Sequence, residues 1–250
     1  MTSPITQPVT PPISPLILAE PERPFWGFAE IFLVIAIFLA AGATVVGVAD
    51  GYLHAPRESG LWSVLEEAVA YALVFLALKF MFARHRRGLL ESLGWTKPGP
   101  FSVSSLAVTG VALSFGVIVL GLVLRTPDVE RPFDKLLDDP ASRIAVGLFS
   151  ITFGPMVEEL LFRGFLQPVL TNVAGVFPGI LMTSVAFGAV HLMQYGFLWQ
   201  TGLLLSGVGF AFGTIRHLSG STRASTIAHM GFNAVPFLAL LAEGNPLTKK

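Results

Sequence analysis

The sequence predicts an all-α fold, a polytopic transmembrane helical bundle of about seven spans, six to eight being the range. Three observations carry that prediction. Hydrophobic residues make up 53% of the 250, charged residues only 13%, and mean hydropathy is +0.69. Apolar stretches long enough to cross a bilayer recur along the chain between short polar connections. Net charge is zero with no long basic run, which argues against a nucleic-acid partner and for a lipid bilayer. Cysteine is absent, so any catalysis must draw on Glu, His, Asn, Ser or Asp.

Residues 1–24 contain seven prolines, several Ser and Thr and no apolar period, the composition of a disordered tail. Arg23 is the tail's only basic residue, so the charged region of a cleavable signal peptide is missing, and Phe25 to Ala49 is long enough to be a true span. A second span is expected from Leu61 to Ala83, followed by Arg84-His85-Arg86-Arg87 and a short turn at Ser92-Leu93-Gly94-Trp95. The third covers Phe101 to Leu124, which completes an N-terminal membrane region of residues 25–125. The connection 126–142, with Asp128, Glu130, Asp134, Asp138 and Asp139, belongs in water. Ile144–Phe153 then leads into a Gly154-Pro155 break, and further spans are expected at 179–195, 198–215 and 224–242, before a tail at 243–250. With the N-terminus inside, basic residues divide equally between the two sides; the tight Arg84–Arg87 cluster makes its loop the better cytoplasmic candidate.

The most informative stretch is Gly154-Pro155-Met156-Val157-Glu158-Glu159-Leu160-Leu161-Phe162-Arg163-Gly164. Ionisable residues within a membrane segment cost about 2.5–3.5 kcal/mol each and so ask for a function. Pro155, which has no N–H and a fixed φ, suits the first turn of a restarted helix, placing Glu158 and Glu159 in or near that turn. At roughly 100° per residue, Arg163 lies above Glu159 and about 140° around the axis from Glu158. Glu159 and Arg163 are therefore the natural ion pair. Glu158 faces elsewhere without a local counter-charge, which suits a general base. A structural charge cluster at a water-exposed helix end would give the same pattern.

Two later stretches also place polar residues in apolar helices. Phe187-Gly188-Ala189-Val190-His191 sets a histidine near the middle of an expected span, with Gln194 one turn on. His229-Met230-Gly231-Phe232-Asn233 projects His229 and Asn233 from one face. Each alone also reads as a polar packing contact between helices. Together the three stretches offer what a hydrolase needs: a base for water, an imidazole to orient it, and donors for an oxyanion. Glu66-Glu67 repeats the paired acids, with Tyr71 where an arginine would be needed, and reads as interfacial. His54, His85 and His217 fall at span ends or loops and read as solvated.

Glu158-Glu159-x-x-x-Arg163, Phe187-x-x-x-His191 and His229-x-x-x-Asn233, in that order, resemble the three motifs of the CPBP intramembrane proteases, the CAAX-processing and bacteriocin-processing (Abi) family that includes type II CAAX prenyl proteases. The flanking Pro155 and the run Leu160 to Gln167 are similar to the family's text, and Leu93-Gly94-Trp95 is similar to one of its common loops. The resemblance covers roughly Leu136 to Leu241, within a protease core of residues 126–242. It implies an intramembrane endopeptidase, of metallo- or glutamate type, in which Glu158 activates water with help from His191. His229 and Asn233 then stabilise the oxyanion, and Glu159 and Arg163 support the site. The family is classed as metal-dependent, and Glu158, His191 and His229 could supply three zinc ligands with an open fourth position. No His-Glu-x-x-His run is present, and a metal-free glutamate mechanism fits the same residues.

The implied partner is a protein or peptide substrate, for which a lipid anchor or membrane anchor is compatible but not required. The implied location is the cytoplasmic membrane of a bacterium or archaeon. Two other functions fit the same helices: a non-proteolytic scaffold or bacteriocin-immunity factor of the same fold, and a small transporter with Glu158, Arg163 and His191 along its path. Against the transporter, no internal repeat pairs two broken helices.

Overall fold

A computed structural model describes residues 24–53, 59–127, 134–137 and 139–243, and among them no strand occurs. The expected disordered tail up to Arg23, His54, residues 128–133 and 138 of the polar connection, and residues 244–250 lie outside the described residues. The elements in order are α1 (Phe28–Val48) with a π-helical end, α2 (Gly60–Arg84), a short α3 (Leu89–Ser92), α4 (Val103–Val123), a 3-10 turn (Asp134–Leu137), α5 (Pro140–Ile151), α6 (Phe153–Glu159), a π-helical segment (Leu160–Leu166), α7 (Gln167–Ala174), α8 (Val176–His191), α9 (Trp199–Ser219) and α10 (Thr222–Glu243).

Among the described residues, five helical stretches are long and apolar enough to cross a membrane: Phe28–Tyr52, Gly60–Arg84, Val103–Val123, Pro140–Ala174 and Thr222–Ala242. The apolar α8 is shorter, at 16 residues. α9 reaches 21 residues, carries Gln200, Arg216 and His217, and is not among the five. Large apolar side chains such as Phe32, Leu39, Val108, Leu122 and Leu238 stay exposed on the outside, where lipid and not water is their solvent. The chain is an integral membrane protein built as a helical bundle.

Two apolar clusters hold the bundle together. Trp26, Val74, Leu78, Phe82, Leu93, Leu160 and Phe165 form one, and there the Trp26 indole N–H donates to the Phe165 carbonyl at 2.9 Å. Leu205, Val208, Phe212, Ala228 and Phe232 form the other, between α9 and α10. Without a hydrophobic drive inside lipid, close backbone approach does much of the packing, and small residues permit it. On α4 a Cβ at Gly110 would fall on the Ala228 carbonyl of α10, and one at Gly231 would fall on the Ala107 carbonyl of α4.

The turn after α3 is stapled to the α9–α10 corner. Thr222 donates its hydroxyl to the Leu93 carbonyl at 2.6 Å and its N–H to the Gly94 carbonyl at 2.9 Å. Gly94 takes φ +72, and a Cβ there would run into the Arg216 guanidinium. α5 begins at an Asp139 N-cap that accepts the Ser142 N–H at 2.9 Å; hydrogen bonds from Ser142 hold this exposed carboxyl below its usual range.

Two expectations need correction here. The helix breaks at Thr152 (φ −126, ψ −82) and not at Gly154-Pro155. Pro155 cannot donate to the Ile151 carbonyl and its ring crowds that turn, so the distortion falls earlier and leaves Pro155 in the first turn of α6. Glu158 and Glu159 consequently end α6, one turn further on, where no helix N-terminus stabilises them. His191 is the last residue of α8 and not a mid-span residue: the chain unwinds after it through Gly196 (φ 65) and Phe197 (φ 59), and Gln194 is exposed in that turn.

Candidate active site

The site forms where α6 runs into the π-helical segment, between α8 and α10. Widening of a helix to π geometry often marks functional positions. Here it precedes Pro168, which cannot supply an α-helical donor to the Gly164 carbonyl.

Glu159 turns inward. Its Oε1 accepts Arg163 Nη1–H at 2.8 Å, and both side chains are 0% exposed. The guanidinium then reaches α9, donating from Nη2 to the Gly209 carbonyl at 3.0 Å. One turn along, Gln167 Nε2 donates to the Gly213 carbonyl at 3.1 Å. The guanidinium carbon also lies 4.4 Å from the Phe187 ring centroid and 5.5 Å from that of Phe212. A carboxylate, a carbonyl and two aromatic faces thus compensate a buried cation.

The same Glu159 oxygen holds His229, whose Nδ1 lies 3.1 Å away. The ring is 3% exposed and stacks on Phe212 with centroids 4.7 Å apart. Since Glu159 accepts at this contact, Nδ1 carries the hydrogen and Nε2 is presented to the other side. His191 is fixed in a parallel way: its Nδ1 is 2.7 Å from the Phe187 carbonyl, four residues back on α8. A carbonyl only accepts, so Nδ1 donates and Nε2 again faces outward from its support.

Both Nε2 atoms point to Glu158. Glu158 Oε2 is 3.8 Å from His191 Nε2 and 3.8 Å from His229 Nε2. Those separations exceed hydrogen-bond length, and this oxygen makes no hydrogen bond among the described residues. Three lone-pair atoms therefore surround a gap that requires a donor, and one water supplies two.

Asn233 lies one turn beyond His229 and donates from Nδ2 to the Ser150 carbonyl at 2.7 Å. That carbonyl belongs to the end of α5, where the Thr152 break leaves acceptors without helical partners. The six residues singled out from the sequence are thus brought into one region, with Asn233 at its α5 edge. His85 and His217 are exposed, as expected. Glu67, read as interfacial, instead turns into the bundle: its Oε1 accepts the hydroxyl of Tyr71, which is 6% exposed, at 2.7 Å. The signal in the sequence is the four-residue spacing from Glu67 to Tyr71, whose hydroxyl can donate where an arginine is absent.

The donor chemistry at Glu158, His191 and His229 resembles that of zinc sites, including imidazoles oriented from their far nitrogens. The spacing does not. Tetrahedral donors on bonds of about 2.0–2.1 Å stand about 3.3 Å apart, whereas Glu158 Oε2 stands 3.8 Å from each imidazole nitrogen. Among the described residues no three His, Asp, Glu or Cys side chains group as a metal site.

Residues 140–235 match the model of a family described as Rce1-like, type II CAAX prenyl endopeptidase. Over 168 residues the chain is 29% identical to "Putative membrane peptidase YdiL" of Bacillus subtilis (strain 168), an overlap of 65% of this chain and 64% of that protein. The chain thus spans just under two thirds of its relative's length. No solved structure matches it. The matched region contains all three motifs, Glu158-Glu159-x-x-x-Arg163, Phe187-x-x-x-His191 and His229-x-x-x-Asn233.

Proposed function

We propose that this chain is an intramembrane endopeptidase of the CPBP family that hydrolyses a peptide bond with water activated by Glu158. The observation that carries the proposal is the convergence of Glu158 Oε2 with the Nε2 atoms of His191 and His229, at 3.8 Å each. A water in that gap donates to the carboxylate and to an imidazole. Glu158 takes its proton as the oxygen attacks the scissile carbonyl carbon. The C–N bond then breaks, and the proton passes from the Glu158 carboxyl to the leaving amine nitrogen.

His191, anchored through Nδ1 to the Phe187 carbonyl, orients the water. His229 faces the oxyanion from Nε2 whenever that nitrogen carries a proton, and Glu159 at Nδ1 balances the charge. Asn233 uses one amide N–H on Ser150; the second serves the oxyanion. Glu159 and Arg163 act as support. No step is routed through a metal. The substrate is a protein or peptide reaching the site within the membrane, with or without a lipid anchor, and the location is the cytoplasmic membrane of a bacterium or archaeon.

The test compares peptide termini in membranes holding wild type or Glu158→Gln at matched levels, with a chelator arm alongside. New termini that vanish in the variant and survive chelation are expected. Unimpaired cleavage by Glu158→Gln would sink the mechanism, and cleavage abolished by chelation and restored by zinc would replace its metal-free form.

A further inference from the structure

α2 ends, the α3 turn lies and α9 meets α10 at one end of the bundle, away from the Glu158 gap. Ser221 of the α9–α10 corner donates its hydroxyl to the Thr96 carbonyl beyond α3 at 2.7 Å, beside the Thr222 contacts described above. Arg84, Arg86, Arg87, Lys97, Arg216 and Arg223 all belong to this end. None of the six forms an ion pair among the described residues. Of the acids there, Glu30 caps α1 by accepting the Gly27 N–H at 2.8 Å, and Glu91 is exposed on α3. The opposite end is mixed: Asp50, Asp134 and Asp139 stand with Arg125, Lys135 and Arg143, and Arg143 donates to the Leu137 carbonyl at 2.6 Å.

Arg216 shows what the basic end lacks. The side chain is half-buried, and its Nε–H is used on the Thr222 hydroxyl at 3.0 Å. Both Nη groups are left without a hydrogen bond among the described residues. The guanidinium is seated in a notch at Gly94, where any Cβ would collide with Nη2. A cation drawn partly out of water and given no carboxylate leaves its charge to be balanced by an anion, and its planar fork matches phosphate oxygens. The border of the notch says which anion. Leu218 in the same last turn of α9, Val103 at the start of α4 and Leu90 on α3 are all exposed. The start of α4 lies against α9, since a Cβ at Gly99 would come 2.8 Å from the Ser219 carbonyl. A free anion gains nothing from an apolar border, whereas a phospholipid lays its acyl chains there and its phosphate on the guanidinium.

We propose that this end of the bundle is a docking surface for anionic phospholipids, with the headgroup phosphate held by Arg216 and by Arg223, which follows Thr222 in the chain. Lys97 and the Arg84–Arg87 cations supply the surrounding positive field. The proposal does not depend on the endopeptidase reading.

The test is native mass spectrometry of the full chain released from nanodiscs of equal phosphatidylglycerol and phosphatidylcholine, reading the ratio of the two lipids retained. Thermal unfolding is measured in parallel. The wild type is expected to retain phosphatidylglycerol over phosphatidylcholine by about fivefold or more, the preference that one cation near the surface supplies. Arg216→Gln with Arg223→Gln should lower that ratio by about fivefold, and Lys97→Gln by about twofold. Arg125→Gln with Lys135→Gln, at the opposite end, should leave it within about twofold of wild type. Arg223 is exposed and outside the staple, so Arg223→Gln alone decides the matter if the Arg216 variant fails to fold; an unchanged ratio there overturns the proposal. A wild type without preference, or an equal loss in the opposite-end variant, also overturns it. Displacement of the retained phosphatidylglycerol by excess inorganic phosphate would overturn it in favour of a site for a free anion.

Discussion

Glu158 and Glu159 are neighbours in the chain and identical in chemistry, yet they live in opposite surroundings. The Glu159 side is sealed: its carboxylate, Arg163 and the carbonyl of Gly209 form one hydrogen-bonded line at 0% exposure for both charged side chains. The Glu158 side chain is 21% exposed, and its buried Oε2 meets no donor among the described residues. One region uses its interactions to hold helices together; the other leaves the Glu158 oxygen 3.8 Å from two imidazole nitrogens, beyond hydrogen-bond length. The lesson is that a helix in a membrane can carry a structural ion pair and a carboxylate oxygen without a hydrogen-bond donor one residue apart, separated only by the angle between successive side chains.

The largest effect expected from breaking this contrast is on rate. Glu158→Gln should lower cleavage by about 10³-fold or more while the melting temperature of the purified protein stays near wild type. Arg163→Ala should cost stability as well as activity, leaving Glu159 as a buried charge without its main partner. Its expected cost is about 3–5 kcal/mol of stability, read from thermal unfolding in detergent. The double variant Glu159→Gln with Arg163→Met sharpens the point, because removing both charges should recover much of that loss without recovering activity.

His229→Ala touches both regions at once, since the ring links Glu159 Oε1 to the Glu158 gap. It should lower cleavage by about 10²-fold and destabilise by about 1–3 kcal/mol, and a variant that changed only one of the two would contradict the shared role. Asp139 at the start of α5 is the baseline acid, outside both regions. Its carboxyl is held low by Ser142, so the stability it contributes is present above the unfolded carboxylate value and lost as pH falls through the lower folded one. Asp139→Ala should lower the melting temperature slightly at neutral pH, and the difference should shrink on acidification.

Much of this site could be read before any coordinates. The Glu159–Arg163 pair followed from four-residue spacing, and the divergence of Glu158 from the angle between neighbours; both survive even though Arg163 falls in the π-helical segment. Among the described residues, five of the seven expected spans coincide with helical stretches long and apolar enough to cross a membrane, because bilayer thickness imposes a length on apolar runs. The expected spans at 179–195 and 198–215 fall on α8 and α9, which are not among the five. The positions of the break at Thr152 and of His191 were not. Apolar residues continue past both, so hydropathy alone does not mark where the backbone leaves the helix. Glu67 was misplaced for a different reason. A phenol hydroxyl can satisfy an acid as a guanidinium does, but only the burial of Tyr71 against α1 and α5 reveals that this happens inside the bundle.

By itself, then, the sequence determined the class of the molecule, the membrane it needs, the residues able to do chemistry and the pairing within a single helix, because these depend on composition and on contacts a few residues apart. Tertiary structure alone decided that His229 rests on Glu159, that Arg163 reaches Gly209, that Asn233 meets Ser150 and that two imidazoles turn their Nε2 atoms to Glu158. Those contacts join residues tens of positions apart, and their existence depends on how helices cross, which close approaches such as Gly110 against Ala228 determine and local periodicity does not.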